Sequence, residues 1–132
     1  MHITRQADYA TRAVLHLARV GNTRNVSTGY IAKEQNIPPA FLPKIVSQLS
    51  IAGILRTSRG AHGGIRLARE PKDISLLEVI EAIDGPIQLN ECVRGEGVCL
   101  FEESCSMRAV WCDIQDDMIA KLRNTNFDHL IR

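Results

Sequence analysis

The sequence predicts a mainly α-helical fold with one small β-wing: a winged helix-turn-helix followed by a long dimerisation helix. In several segments, apolar residues recur at helical spacing between capping residues and glycines. A glycine-rich stretch, residues 60–64, separates two short apolar segments directly after the third of these helices. With 132 residues, the chain has room for one domain with an appended element.

The first two helices are bounded by clear capping signals. Thr4 is a candidate N-cap for a helix from about Arg5 to Val20, and Gly21 is its expected stop. After a turn, Ser27 caps a short second helix over roughly residues 28–35. These two helices form the first part of the predicted helix-turn-helix.

A proline places the third helix. It is expected to begin near Ala40 and end near Ala52, because this start puts Pro43 in the first turn, where a proline is tolerated. Its polar face carries Lys44, Ser47 and Gln48, opposite the apolar stripe. Such a helix is suited to reading bases or phosphates in the major groove.

A hairpin follows the third helix. Residues 54–59 are predicted to form a strand and residues 65–68 its return, with the glycine-rich tip between them. Arg59 and Arg66 flank this tip, where they are well placed for phosphates or a minor groove. A nucleotide-binding loop is the alternative, but the Walker pattern requires Gly-Lys-Ser/Thr opening a helix, and here a strand follows.

The second half of the chain carries two further helices. Ser75 and Glu78 form a capping box that opens a short helix ending at Gly85. A long amphipathic helix is expected from about Cys105 to Arg123, followed by a short turn that Asn126 caps. Pairing with a second copy is favoured over packing on the head, because palindromic sites require two-fold dimers.

These elements divide the chain into three segments. The winged helix-turn-helix DNA-binding head covers residues 1–71, and the connecting helix with the cysteine loop covers residues 72–104. The dimerisation helix and C-terminal turn cover residues 105–132.

The net charge of +1 conceals a division along the chain. Residues 1–70 carry ten basic and three acidic residues, a net charge of +7, whereas residues 71–132 carry six basic and twelve acidic residues, a net charge of −6. This division indicates that the first half meets a polyanion. Two ordinary solvated surfaces are the alternative.

The sequence also indicates where in the cell the protein is located. The chain has no apolar run near 18 residues, and its first residues lack the apolar core of a signal peptide. We therefore expect a cytoplasmic protein without a membrane partner, in which thiols stay reduced. Its cysteines are then expected to be ligands or redox-active groups rather than disulfides.

Four cysteines lie within one short stretch. Cys92, Cys99, Cys105 and Cys112 are spaced C-x6-C-x5-C-x6-C. Zinc sites usually contain C-x2-4-C pairs, which this stretch lacks. The wider gaps suit a loop around a larger object, such as an iron–sulfur cluster. A zinc site, a redox dithiol pair and buried structural cysteines remain open at this point.

Several segments together resemble the bacterial IscR/NsrR-type winged-helix regulators. They are ITRQADYATRAVLHLA, FLPKIVSQLSIAGIL, RGAHGGIRLAREP, ISLLEVIEAIDGP and the cysteine loop, so the resemblance covers essentially the whole chain in order. It implies a homodimeric transcription factor with a cluster at the dimer periphery. It also implies three loop ligands, Cys92, Cys99 and Cys105, together with a fourth ligand.

The families that this chain resembles use two different positions for that fourth ligand, and only one of them carries a possible ligand here. IscR-type members have a histidine where this chain has Arg108, and arginine has no lone pair to offer a metal. NsrR-type members place an aspartate early in the first helix, here Asp8, and the partner subunit supplies it. The alternative for Asp8 is a surface carboxylate that pairs with Arg5 or Arg12.

Cys112 is a weaker candidate ligand. It lies seven residues after Cys105, about 10 Å further along the same helix at 1.5 Å per residue. We expect instead a buried thiol that faces the dimer seam.

The resemblance also extends the set of DNA-contacting residues. It places Tyr9 near the DNA backbone and Arg59 in the wing. The predicted set is Tyr9, Ala40, Lys44, Ser47, Gln48, Arg59, His62 and Arg66. For each residue alone, a solvated side chain is the alternative. Pro43 stands where some relatives place a base-reading acidic residue, so the operator is expected to differ.

Together these observations predict a dimeric, iron–sulfur-dependent regulator, a repressor that binds palindromic double-stranded operator DNA. One cluster per subunit is expected, with [4Fe–4S] favoured over [2Fe–2S], as a sensor of nitric oxide, iron or redox state. A cluster-free regulator that responds to an effector or to thiol oxidation is one rival. A small iron–sulfur electron-transfer protein is another. No nucleophile–base pairing or paired carboxylates indicate an enzyme.

Overall fold

The computed structural model describes residues 2–93, 95 and 100–131. In chain order the helices and strands are α1 (Arg5–Val20), α2 (Thr28–Glu34), α3 (Leu42–Ile51), β1 (Leu55–Ser58), β2 (Gly64–Leu67), α4 (Leu76–Asp84) and α5 (Met107–Arg123). Short 3-10 turns lie at Pro39–Phe41, Pro71–Asp73, Glu91–Val93 and Phe127–Leu130. The predicted fold class, mainly helical with a two-stranded antiparallel wing, is confirmed.

The predicted capping residues define three helix starts. The Thr4 hydroxyl accepts a hydrogen bond from the backbone N–H of Ala7 at 3.1 Å. Ser27 does the same for the N–H of Tyr30 at 3.2 Å, and Ser75 for the N–H of Glu78 at 3.1 Å. Each bond satisfies a donor that the first turn leaves without a helical partner, so these helices begin where the sequence predicts.

The third helix begins later than predicted, because the turn before it is 3-10. Pro43 has no N–H to donate to the carbonyl of Pro39. The N–H of Leu42 donates a hydrogen bond to that carbonyl instead. The residues from Pro39 to Phe41 therefore form a 3-10 turn, and α3 starts at Leu42 with Pro43 in its first turn, as expected.

The wing is joined to the helix-turn-helix through its second strand. β1 and β2 pair antiparallel, with Leu55 opposite Leu67 and Ser58 opposite Gly64. Val26, just before α2, forms a bridge with Ile65 through two backbone hydrogen bonds of 2.8 Å each. This bridge fixes the position of the wing relative to the start of α2.

The hydrophobic core includes residues from beyond the head. Buried side chains of α1, α3 and both strands pack with Ile74, Val79 and Phe127, the last only 1% exposed. The N–H of Phe127 donates to the carbonyl of Ile74 at 3.1 Å, and that of Leu76 to the carbonyl of Thr125 at 2.8 Å. The C-terminal turn is thereby anchored in the core of the head.

The long helix divides its apolar residues between two faces. Met107, Val110 and Ile114 are 60%, 54% and 44% exposed. Trp111, Met118 and Leu122 are partly buried, and the helix contacts α4 and the turn at Glu91–Val93. One face of α5 thus packs on its own chain, and the other stays open. Within the described part of the chain, every helix is too short or too polar to cross a membrane.

Candidate DNA-binding surface and cysteine site

The third helix presents most of its predicted DNA-contacting residues to solvent. Lys44 and Ser47 are exposed, and Ala40 is exposed in the turn that precedes the helix. Gln48 is partly buried, and its Oε1 atom has no hydrogen-bond partner in the described part of the chain. The helix therefore offers a positive charge and a hydroxyl to solvent, whereas the amide oxygen of Gln48 is buried without a partner among the described residues.

The wing tip and the start of α2 form a second polar surface. Arg59 and His62 are exposed and Arg66 is partly buried. A cavity of about 560 Å³ brings His62 and Arg66 together with Arg24 and Asn25, and Asn25 Nδ2 donates to the carbonyl of His62 at 2.9 Å. Sequence analysis missed Arg24 and Asn25, because a turn has no periodic pattern that would indicate which way its side chains point.

Tyr9 packs against the turn that precedes the third helix. Its side chain is only 7% exposed, and its ring meets the ring of Phe41 edge-on at 5.5 Å. The Arg12 guanidinium lies 5.2 Å from the centre of the Tyr9 ring. Tyr9 thus supports the turn from which α3 starts, and its predicted contact with DNA stays a prediction.

Two of the three predicted loop ligands meet in one cavity of about 480 Å³. Cys92 and Cys105 both line it, as do the apolar side chains of Leu100, Phe101 and Trp111. Both thiols are free. Cys99, the third predicted ligand, lies outside the described residues.

Arg108 connects the two sides of the cysteine loop. Its Nη1 atom lies 2.9 Å from Glu102 Oε1, its Nε atom donates to the carbonyl of Cys92 at 3.3 Å, and its Nη2 atom donates to the carbonyl of Gly95 at 3.5 Å. Arg108, which stands where the IscR-type pattern has a histidine, therefore connects separate parts of the loop through hydrogen bonds and an ion pair.

The two candidates for the fourth ligand lie away from this cavity within a single chain. Asp8 Oδ2 accepts a hydrogen bond from Arg12 Nη2 at 2.6 Å, which is the surface pairing considered as its alternative. Its side chain is nevertheless 55% exposed. Cys112 is partly buried in α5 and is not part of the cavity lining.

The residues of the cavity fit a thiolate-bound group. Thiolates are the usual ligands of iron–sulfur clusters, and Cys92 and Cys105 line the cavity together with apolar side chains. Among the described residues, no three His, Cys, Asp or Glu side chains are grouped as metal ligands. A cluster at this cavity would therefore need ligands in addition to Cys92 and Cys105.

Comparison with known proteins identifies the family. Residues 3–132 match the model of the Rrf2 family, described as an iron-dependent transcriptional regulator. The chain belongs to the Rrf2 family. This assignment confirms the resemblance noted from the sequence, and it makes the protein a DNA-binding transcription regulator rather than an enzyme. It also leaves the electron-transfer alternative without support.

Individual relatives cover the whole of this Rrf2-family chain. The HTH-type transcriptional regulator IscR of Enterobacter sp. strain 638 is 30% identical over 131 residues, which are 99% of this chain and 80% of IscR. Protein rrf2 of Nitratidesulfovibrio vulgaris is 31% identical over 132 residues, which are 100% of this chain and 88% of the relative. The solved structure of CymR, the global cysteine regulator of B. subtilis, superposes with a TM-score of 0.87 at 28% identity, covering 99% of this chain and 96% of CymR.

Proposed function

We propose that this Rrf2-family regulator is a homodimeric repressor whose binding to operator DNA is controlled by an iron–sulfur cluster. The observation that carries the proposal is the meeting of Cys92 and Cys105 in one largely apolar cavity, in a chain whose head has the form and charge of a DNA-binding unit. The proposed ligands are Cys92, Cys99 and Cys105, with the partner subunit's Asp8 as the fourth. The name of the family, iron-dependent transcriptional regulator, supports this assignment.

The DNA-binding part of the proposal rests on two adjacent surfaces. Lys44, Ser47 and Gln48 of α3 enter the major groove, where they reach base edges and phosphates. The wing, with Arg59, His62 and Arg66, contacts the backbone or the minor groove beside it. The net charge of +7 over residues 1–70 favours the approach of the head to a polyanion.

The proposed dimer uses the open face of α5. Met107, Val110 and Ile114 are spaced by three and four residues, so they lie along one face, and each is more than two-fifths exposed in the single chain. A second copy of the helix would remove this apolar surface from water. Met107 also lines the cysteine cavity, so the site adjoins the proposed interface. The proposal assigns the fourth ligand position there to the partner subunit's Asp8.

A path from the site to the DNA-binding surface runs through α1. A bound cluster would supply iron that reacts with nitric oxide or oxidants. Arg12 lies one turn from Asp8 and within hydrogen-bond distance of its carboxylate, so a carboxylate that leaves the partner's cysteine loop has a pairing partner on α1. Tyr9, the residue after Asp8, packs on Phe41 directly before α3. A displacement of the first turns of α1 is therefore transmitted to α3, the recognition helix. When the two recognition helices of a dimer shift relative to each other, they can no longer contact two successive grooves at once.

The first test is an absorbance spectrum with iron and sulfide assays on protein purified without oxygen. A visible band with matching iron and sulfide is expected, and its shape distinguishes four-iron from two-iron forms. The band is expected to be lost or altered in Asp8→Ala but not in Cys112→Ala. A colourless protein without iron, even after reconstitution, contradicts the proposal.

A second candidate function is a cluster-free regulator that responds through its thiols. The observation in its favour is that Cys92 and Cys105 are free thiols in the same cavity. The structural similarity to the global cysteine regulator CymR supports it as well. It predicts no bound iron, together with operator binding that changes on reversible thiol oxidation and is insensitive to iron chelators.

A further inference from the structure

We propose that Arg108 is a positioning residue that holds Cys92 and Cys105 together before any metal arrives. The inference deepens the proposed function, since it concerns the same cysteine loop. It assigns to the arginine a task that differs from that of the histidine ligand it replaces in the IscR-type pattern. Arg108 would close the loop of the cluster-free protein, so that the thiols are presented to an incoming cluster in a favourable arrangement.

The geometry points to Arg108 because its contacts reach both cysteines. Its backbone N–H lies 3.4 Å from the carbonyl oxygen of Cys105, and its Nε atom donates to the carbonyl of Cys92 at 3.3 Å. The backbone bond belongs to the turn that opens α5 and places residue 108 next to Cys105, and the side chain then connects this turn to the main chain of Cys92. The hydrogen bond to Gly95 and the ion pair with Glu102 add two further attachments within the loop.

The shape of the guanidinium explains how one side chain can make these contacts. Arginine presents five N–H donors in a rigid planar fork and stays charged at every accessible pH, whereas lysine concentrates its charge on one flexible ammonium. Here three different nitrogen atoms of Arg108 contact two carbonyls and one carboxylate. Lysine can satisfy some of these acceptors but cannot reproduce the fixed fork.

The burial of the ion pair sets the expected size of the effect. The side chains of Arg108 and Glu102 are 28% and 16% exposed, so their attraction is less screened than that of a fully exposed pair. Without these contacts, closing the loop costs the chain more conformational entropy. We expect the effective concentration of one thiol at the other to fall about five-fold when the side chain is removed.

The test measures that effective concentration in cluster-free protein. The parent protein carries Cys99→Ser and Cys112→Ser, so that only Cys92 and Cys105 can form an intramolecular disulfide. Diamide oxidises the two thiols and takes up both hydrogens, and the rate of closure is followed by mass spectrometry under denaturing quench. The variants are Arg108→Ala, Arg108→Lys and, as the matched control, Arg123→Ala in the last turn of the same helix.

We expect Arg108→Ala to slow closure about five-fold, Arg108→Lys to slow it less, and Arg123→Ala to leave it unchanged. Circular dichroism reports whether α5 is still folded. If Arg108→Ala loses helix, Arg108→Lys decides the question, because it keeps the charge and the length of the side chain. Closure at the parent rate in a folded Arg108 variant, or equal slowing in Arg123→Ala, would overturn the proposal. The assay contains no iron, so its outcome is independent of whether a cluster binds.

Discussion

Replacing Gly64 with alanine tests how the wing is held against the helix-turn-helix. Gly64 begins β2 with a φ angle of 139°, which side-chain-bearing residues rarely adopt. A Cβ atom built there would lie 2.5 Å from the carbonyl oxygen of Val26 and 2.7 Å from its carbonyl carbon. Val26 would have to move, and its two hydrogen bonds to Ile65 would be lost.

The expected destabilisation combines two terms. Two backbone hydrogen bonds contribute about 1 kcal/mol each, and the unfavourable backbone conformation adds about 1 kcal/mol or more. The free energy of unfolding of Gly64→Ala should therefore fall by about 3 kcal/mol, which lowers the melting temperature by about 10 °C in a chain of this size. The affinity for DNA should fall as well, because the wing is no longer aligned with α2 and α3.

Two other glycines serve as controls in chemical denaturation and thermal melting. Gly60 has a φ angle of 98°, but no atom of the described chain lies within 4 Å of its built Cβ, so Gly60→Ala should cost only the backbone strain, about 1 kcal/mol. Gly29 lies within α2 with an ordinary φ angle and similar open space, and Gly29→Ala should stabilise the protein by about 0.5 kcal/mol. Equal losses in Gly64→Ala and Gly60→Ala would refute the reasoning about the Val26–Ile65 bridge.

Three further predictions follow from burial and charge. Phe127→Ala should lower the free energy of unfolding by about 4 kcal/mol in denaturant titrations, because it removes a ring only 1% exposed; a loss below about 1 kcal/mol would show that the C-terminal turn is not anchored in the core. Lys44→Ala should weaken DNA binding and reduce the slope of log affinity against log salt concentration by about one. Lys121 is exposed in α5, and Lys121→Ala should change neither the affinity nor the slope. Equal effects of the two substitutions would contradict the placement of α3 in the groove. Burial lowers the pKa of His16 below its ordinary value of 6.5, so the unfolded chain takes up this proton at a higher pH than the folded chain. The stability that this group contributes is therefore present above pH 6.5 and is lost as the pH falls through the folded pKa. His16→Gln should flatten that part of the profile of stability against pH.

The parts of the fold that could be predicted are those whose signals are local. Thr4, Ser27 and Ser75 each accept a hydrogen bond from an N–H three residues later, so the helix starts are encoded within a few positions. The later start of α3 also has a local cause, the missing N–H of Pro43. The sequence did not reveal that the N–H of Leu42 would donate to the carbonyl of Pro39 and form a 3-10 turn.

Contacts between distant parts of the chain could not be predicted in this way. The burial of Phe127 in the head depends on α5 packing on α4 and on the C-terminal turn reaching α1, and no periodicity in the sequence reveals these contacts. The attachment of Arg108 to Cys92, sixteen residues away, depends on how the loop folds back. The resemblance placed Tyr9 near DNA, while the structure shows that its ring also supports Phe41. Such roles arise from tertiary packing and become visible only in the structure.

The most direct test of cluster control compares the operator affinity of cluster-loaded and cluster-free protein at one fixed salt concentration. The probe is a duplex selected by the protein from a random library. The salt concentration is fixed because affinities for DNA depend steeply on salt, and oxygen is excluded to preserve the cluster. We predict that the cluster-loaded dimer binds at least ten times more tightly, and that Asp8→Ala reduces this ratio. Equal affinities of the two forms for the selected duplex would contradict control of DNA binding by the cluster.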